Sequence, residues 1–208
     1  MGKMRRIGSA MVATAAVAVA TTAVSGAAHA ATSAPHDTAG ATVESQVAGL
    51  LKYNKGAKRI AADKVDLGQG AVVTVHPDSA VSPAVSVSLC SFRHGDAVGW
   101  LCLYQNDNWG GENLDLTVCT NVNLSTKYMS NGRPWNDQIS SIDNDQTSNV
   151  TSVFYNYDGS GDPNSSSNWQ VLLRLPAGHY LRDLSKDKSL SNPPGGYAND
   201  KIDIVHVC

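Results

Sequence analysis

Apolar residues recur along this chain at two different spacings, and the change from one to the other marks its organisation. Val43, Val47, Leu50 and Leu51 fall at i, i+4, i+7 and i+8, a single stripe that predicts a short helix, stopped near Gly56. Ile60, Val65 and Leu67 lead to Gly68-Gln69-Gly70 and the strand-like run Ala71–Val75. From His76 to Ser88 the chain is rich in Pro, Ser, Ala and Val and reads as a linker. Beyond Cys90 the pattern becomes short strands between turn clusters: Trp100–Tyr104, Glu112–Val118, Asn149–Tyr157, Trp169–Leu175, and Ile202–Val207. Apolar residues alternate through Glu112–Val118, as on a strand with one buried face. Pro176-Ala177-Gly178 turns the chain into His179-Tyr180-Leu181. With no long amphipathic helix after Cys90, the expected fold is all-β: a two-sheet sandwich of two Greek keys, with a small helix-plus-strand N-terminal extension.

The ends refine this picture. Lys3, Arg5 and Arg6 precede an Ala/Val-rich run, and Ala28-His29-Ala30 offers small residues where a signal peptidase cuts. Residues 1–30 are therefore expected to be a secretory signal, residues 31–87 an extension or propeptide with its linker, and residues 88–208 the β domain. Removing the signal takes three of the 16 basic residues and none of the 18 acidic ones, leaving a net charge of −5. That balance argues against nucleic acid and anionic membrane as partners and is compatible with a cation. The expected molecule is a secreted monomer. An even count of four cysteines in an exported chain predicts two disulfides. Three pairings are possible. The expected one joins Cys90 to Cys102 across a hairpin and Cys119 to Cys208 at the last residue.

The most specific local signal is Tyr104-Gln-Asn-Asp-Asn-Trp109-Gly-Gly111, an aromatic–x4–aromatic–x–Gly pattern. A strand ends on one aromatic, a polar run turns the chain, and the second aromatic folds back, with Gly111 taking the positive φ. About 25 residues later follows Asn136-Asp137-Gln138-Ile139-Ser140-Ser141. In this order the pair resembles one Greek-key unit of the βγ-crystallin superfamily. The resemblance implies that Tyr104, Trp109 and Gly111 hold the folded hairpin and that Ser141 bonds back to it. It also implies a calcium site at Asn136, Asp137 and Ser140, since a hard cation takes several oxygens from one tight loop. An Asx-type turn is the alternative reading of the same residues. Asp143–Ser148 fits the same expression seven residues on, in a region generally rich in Asn, Asp and Ser. The second key is degenerate. Phe154 and Gly161 keep the outer spacing, but Gly159 replaces the inner aromatic. Asn199, Asp200 and Asp203 form a second, altered string in which Ile204 replaces the last serine.

Within that superfamily the chain resembles the secreted actinobacterial metalloproteinase inhibitors. The resemblance is carried by Cys90 with Leu101-Cys102-Leu103-Tyr104, the Asn-Asp-Gln-x-Ser-Ser string, and Leu175-Pro-Ala-Gly-His-Tyr-Leu-Arg-Asp-Leu184. It implies inhibition of an extracellular metalloprotease. The second reading is a non-inhibitory extracellular module of the same fold, structural, calcium-stabilised or toxin-like. One departure bears on inhibition. The family's inhibitory loop matches Asp158–Asn168, which here is Gly/Ser-rich, without cysteine or bulky apolar residue. A loop that must be ordered on binding loses affinity. The candidate contacts are therefore Tyr128 and Met129 in Lys127–Trp135, and Tyr197 in Asn192–Tyr197. No zincin, hydrolase or nucleotide motif is present, so no catalytic residue and no enzymatic activity are expected.

Overall fold

The computed structural model describes residues 41–76, 90, 99–157, 159, 165–186 and 198–208, which belong to one compact unit spanning His36–Cys208. The expected signal segment 1–30, most of the linker, residues 158 and 160–164 of the Asp158–Asn168 loop and the whole of Asn192–Tyr197 lie outside the described residues.

One helix, α1 (Val43–Tyr53), opens the described chain. Thr42 caps it, its hydroxyl accepting the Ser45 amide at 3.2 Å. Val47 and Leu50 are buried as their spacing predicts, whereas Leu51 is 40% exposed because it lies at the edge of the buried stripe. Eleven strands follow: β1 (Lys58–Arg59), β2 (Lys64–Gly68), β3 (Ala71–Thr74), β4 (Trp100–Tyr104), β5 (Asn113–Leu116), β6 (Asn121–Asn123), β7 (Ser141–Asp145), β8 (Thr151–Tyr157), β9 (Trp169–Pro176), β10 (His179–Leu181) and β11 (Ile204–His206). They form two antiparallel sheets, ordered β1-β2-β3-β5-β4-β7-β10 and β6-β11-β8-β9. Strands β4–β7 and β8–β11 are the two Greek keys. Each gives its third strand to the other's sheet: β6 lies beside β11, and β10 beside β7. This exchange interlocks the halves over one core that includes Leu101, Leu103, Leu114, Leu116, Ile142, Phe154, Leu173, Leu175 and Val205.

Residues 41–76, expected to be an extension, join the sheet and core of the Greek keys. Strand β3 pairs along its whole length with β5, Ala71 opposite Leu116 and Thr74 opposite Asn113. Val47, Leu50, Val65, Ala71, Val73 and Val75 belong to the same buried core as the Greek keys. Residues 41–76 and the Greek keys therefore share one core, as hydrophobic burial favours for a segment too small to bury a core of its own.

One strand reading is also corrected. Strand β5 is buried on both faces, with Asn113 and Asp115 fully covered. Asp115 accepts hydrogen bonds from Thr74 Oγ1 at 3.2 Å and from Asn113 Nδ2, so its polar face is satisfied rather than solvated. The second match to the string, Asp143–Ser148, begins inside a strand, since Asp143–Asp145 completes β7. Fully buried Asn144 points toward the second sheet, where its Nδ2 donates to the Leu175 carbonyl (2.7 Å) and to Ser152 Oγ (3.3 Å). Ser152 Oγ in turn donates to the Val207 carbonyl at 2.6 Å. These bonds meet the requirement that a buried polar group be paired.

Cys90 is joined to Cys102 and Cys119 to Cys208, with Cα separations of 5.9 and 5.0 Å. Among the described residues no helix is long and apolar enough to cross a membrane.

Because α1 shares the core, Leu50→Ala should destabilise the whole molecule by about 2–5 kcal/mol. Urea unfolding followed by near-ultraviolet circular dichroism and by far-ultraviolet signal should shift together in one transition. An unchanged midpoint would place the helix outside the cooperative unit.

Candidate metal centre

The site is built on the folded hairpin between β4 and β5. Tyr104 is fully buried and Trp109 is 4% exposed, in one cluster with the Cys90–Cys102 bridge. Asn108 and Trp109 both adopt positive φ, and Gly111 does so at 74°. A Cβ on Gly111 would also lie 2.8 Å from Gln105 Oε1. Ser141 pins this strained turn. Its Oγ accepts the Trp109 amide at 3.1 Å and donates to the Asn106 carbonyl at 2.7 Å. Arg182 stacks over the outer side of the hairpin, its guanidinium carbon 4.3 Å from the Trp109 ring centre. Sequence reasoning did not find Arg182. Its only signal was its place in the Leu-Arg-x-Leu run after the β9–β10 turn.

From Ser141 backward the first string runs to the second. Asp137 and Asp200, the second residue of each string, both adopt left-handed φ, 56° and 51°. Such values are tolerated best by Asn, Asp and Gly. The Asp137 amide donates to the Ile202 carbonyl at 3.1 Å, and the Asp200 amide donates to the Ile139 carbonyl at 3.3 Å. In each case residue two of one string bonds residue four of the other. The two strings thus clasp each other about a local pseudo-twofold, with Ile139 and Ile202 fully buried beneath.

The clasp changes the expected grouping. Asn136 and Asp137 are brought together with Asp203 and Asp200 of the second string, which sequence reasoning set apart as a degenerate site. Although Asp137 is exposed as a residue, its carboxyl is pushed up to about 6, first by desolvation and then by the Asp203 carboxylate, with Asp200 adding to it. Asn136 opposes the rise, donating from Nδ2 to Asp137 Oδ2 at 3.2 Å. Asp203 is also raised, chiefly by desolvation, while its Oδ2 accepts the Tyr157 amide at 2.8 Å. Asn199 Nδ2 bonds Asp200 Oδ2 at 2.6 Å. Ser140, expected as a ligand, is half-buried and uses its backbone in the hairpin, donating to the Tyr104 carbonyl and accepting the Leu184 amide.

The donor set fits a hard cation. Two buried acceptor atoms of the first string, Asn136 Oδ1 and Gln138 Oε1, have no hydrogen-bond donor among the described residues. Buried acceptors left without a partner are costly, and a cation relieves that cost. Among the described residues no three His, Cys, Asp or Glu side chains converge as a metal cluster. An ion here would accordingly draw on amide and carbonyl oxygens as well as carboxylates, which suits calcium and not zinc.

The candidate inhibitory contacts fare differently. Met129 is fully buried, as is Trp135, and Lys127 is 7% exposed, so both ends and the apolar centre of the Lys127–Trp135 loop face inward, while Asn131 and Arg133 are exposed. Met129 cannot reach a protease. Its place in the core beneath α1 follows from apolar burial and was hidden by the loop-like composition around it. Tyr128 is half-buried, with both its amide and its carbonyl held by the Asn54 side chain. Tyr197 lies outside the described residues.

No protein-family model matches this chain, and no curated protein matches it. Solved structures to which it is similar are βγ-crystallins. One comes from work on the evolution of the eye-lens βγ-crystallin domain fold, at 23% identity over 53% of this chain and 85% of that chain, TM-score 0.32. Another is a βγ-crystallin from an archaeon, at 20% identity over 52% and 96%, TM-score 0.32. A third, from Ciona intestinalis, has 22% identity over 51% and 96%, TM-score 0.32. The all-β arrangement of this chain is defined by its exchanged third strands, its pinned hairpin and its clasped strings.

Ser141→Ala removes the partner of the Trp109 amide and of the Asn106 carbonyl, and should cost about 1–3 kcal/mol in chemical denaturation. A loss near zero would show that the turn holds without it. The raised Asp137 carboxyl gives a second expectation, on pH. A folded-state value near 6 against an ordinary 3.8 stabilises the fold most below pH 3.8 and loses that contribution as pH rises through about 6. In chelator, this carboxyl should thus lower the melting temperature between pH 4 and pH 7, an effect measured by comparison with Asp137→Asn. With calcium the contribution should reverse sign, because the ion binds the ionised form. Identical pH profiles for the wild type and Asp137→Asn would contradict the assignment.

Proposed function

We propose that this protein is an exported, non-catalytic βγ-crystallin-like module stabilised by one calcium ion held between its two strings. The observation that carries this reading is the reciprocal clasp. It brings Asn136, Asp137 and Asp203, residues from the two Greek keys, to one place and leaves Asn136 Oδ1 buried without a donor among the described residues. Asn136 Oδ1 and the carboxylates of Asp137 and Asp203 would supply the ligands, with Asp200 adding negative charge nearby. The two disulfides suit an oxidising compartment, in keeping with export. The ion would act structurally, since it neutralises carboxylates that otherwise repel across the seam of the two Greek keys.

Inhibition of an extracellular metalloprotease is the other reading. Its support is the resemblance of the β9–β10 region and the string to the inhibitor family, with Tyr197 and the outer part of Tyr128 as the remaining contacts. A thermolysin-like protease assayed against the mature protein separates the two. Stoichiometric inhibition, lost in Tyr197→Ala, would favour the inhibitor.

A ligand bound only by the folded state stabilises by RT ln(1 + [L]/Kd), about 2.7 kcal/mol at a hundredfold excess over Kd. For a chain of this size that corresponds to a rise of about 5–10 °C in Tm on adding calcium. Asp137→Ala and Asp203→Ala should each abolish the rise. A rise lost in the first and kept in the second would confine the ion to the first string, and no rise in the wild type would remove calcium from the account.

A further inference from the structure

Residues 41–76 contain no cysteine, and both disulfides lie in the remainder of the chain. Only the main chain running on from His76 therefore joins this segment covalently to the Greek keys. Its non-covalent attachment is extensive. Strand β3 forms four paired positions with β5, and the ladder continues past it as the Thr117 amide donates to the Gly70 carbonyl at 3.0 Å. Ala71 and Val73 alternate into the core beside Leu114 and Leu116. At the other end of the segment Asn54 forks onto Tyr128, accepting its amide and donating to its carbonyl, both at 2.8 Å. Helix α1 approaches so closely that a Cβ on Gly49 would lie 2.0 Å from the Ser130 carbonyl oxygen. Ser130 is itself fixed, its amide donating to the buried Glu112 carboxylate at 3.0 Å.

We infer that the edge of β5 covered by β3, together with the turn at 128–130, is a docking surface for a helix–hairpin segment, and that residues 41–76 are its resident occupant. Severed from the body, the segment stays bound instead of leaving as a released propeptide. The recognition is of backbone by backbone along β5 and of a fixed turn by Asn54, with the alternate side chains Ala71 and Val73 giving specificity, as in strand addition to a sheet edge. The segment also finishes the sheet safely. Its outermost strand, β1, is two residues long, Lys58-Arg59, and both are exposed, so the new edge is short and positively charged. Removing the segment would expose the β5 ladder and its apolar flank, an aggregation-prone edge. Retention does not depend on calcium, because no residue of 41–76 lies in the cation site.

The test inserts a specific protease site between Ala84 and Val85 of the otherwise complete protein, with complete cutting confirmed by mass spectrometry under denaturing conditions. Native mass spectrometry and gel filtration at micromolar concentration should then find both pieces together. The melting temperature of the cut protein should fall on tenfold dilution, whereas that of the uncut protein should not, since the complex is now bimolecular. Gly49→Val in the cut protein should release the segment, because its Cβ meets the Ser130 carbonyl. Release of the wild-type segment, whether the remainder stays folded or precipitates, would overturn the inference. Retention unchanged by Gly49→Val would overturn the docking geometry.

Discussion

The structure turns on two backbone hydrogen bonds, Asp137 amide to Ile202 carbonyl and Asp200 amide to Ile139 carbonyl. They are the place where the two Greek keys meet in register. Each requires its aspartate to take a left-handed backbone, which Asp accepts at modest cost and a β-branched residue does not. Once that turn is made, the next residues follow: Ile139 and Ile202 go inward, and the chain leaves toward β7 on one side and β11 on the other. The same turn sets the carboxylates of Asp137 and Asp203 in each other's field. The electrostatic cost of the seam therefore has the same cause as its register.

Around this clasp the sandwich is closed by polar bonds as much as by apolar contact. Ser141 continues directly from the first string into the folded hairpin, so the clasp and the Trp109 turn are mechanically joined. Asn144, three residues further, reaches across the core to the Leu175 carbonyl, and Ser152 to the Val207 carbonyl. One strand, β7, thus serves the hairpin at its start and the second sheet at its end. The N-terminal segment covers the edge that this arrangement leaves on β5, and it does so by contributing to the same core.

Much of this was legible in the residues. The helix at Val43, strands β3, β4, β8, β9 and β11, and the turn before β10 follow from apolar spacing and turn residues, and the hairpin from Tyr104, Trp109 and Gly111. Strands β6 and β7 were not legible, because Asn121–Asn123 and Ser141–Asp145 are largely polar. Their strand character comes from partners distant in sequence, which satisfy Asn144 and cover Asp143. For the same reason β5 reads as half-exposed although both its faces are buried. The strings were legible one at a time, but their meeting was not: nothing local in Asn199–Ile204 says that it folds onto Asn136–Ser141. Likewise Met129 sits in a stretch of loop composition, and only its position under α1 makes it core.

The account stands most directly on what lies between the clasped strings, and a crystal structure of the protein grown with calcium, with the ion identified by its anomalous scattering, examines that point. The expected result is one ion between the two strings, bound by Asn136 Oδ1 and by the carboxylates of Asp137 and Asp203. An ion held by one string alone, or no ion with Asn136 Oδ1 accepting a hydrogen bond from protein or ordered water, would contradict it.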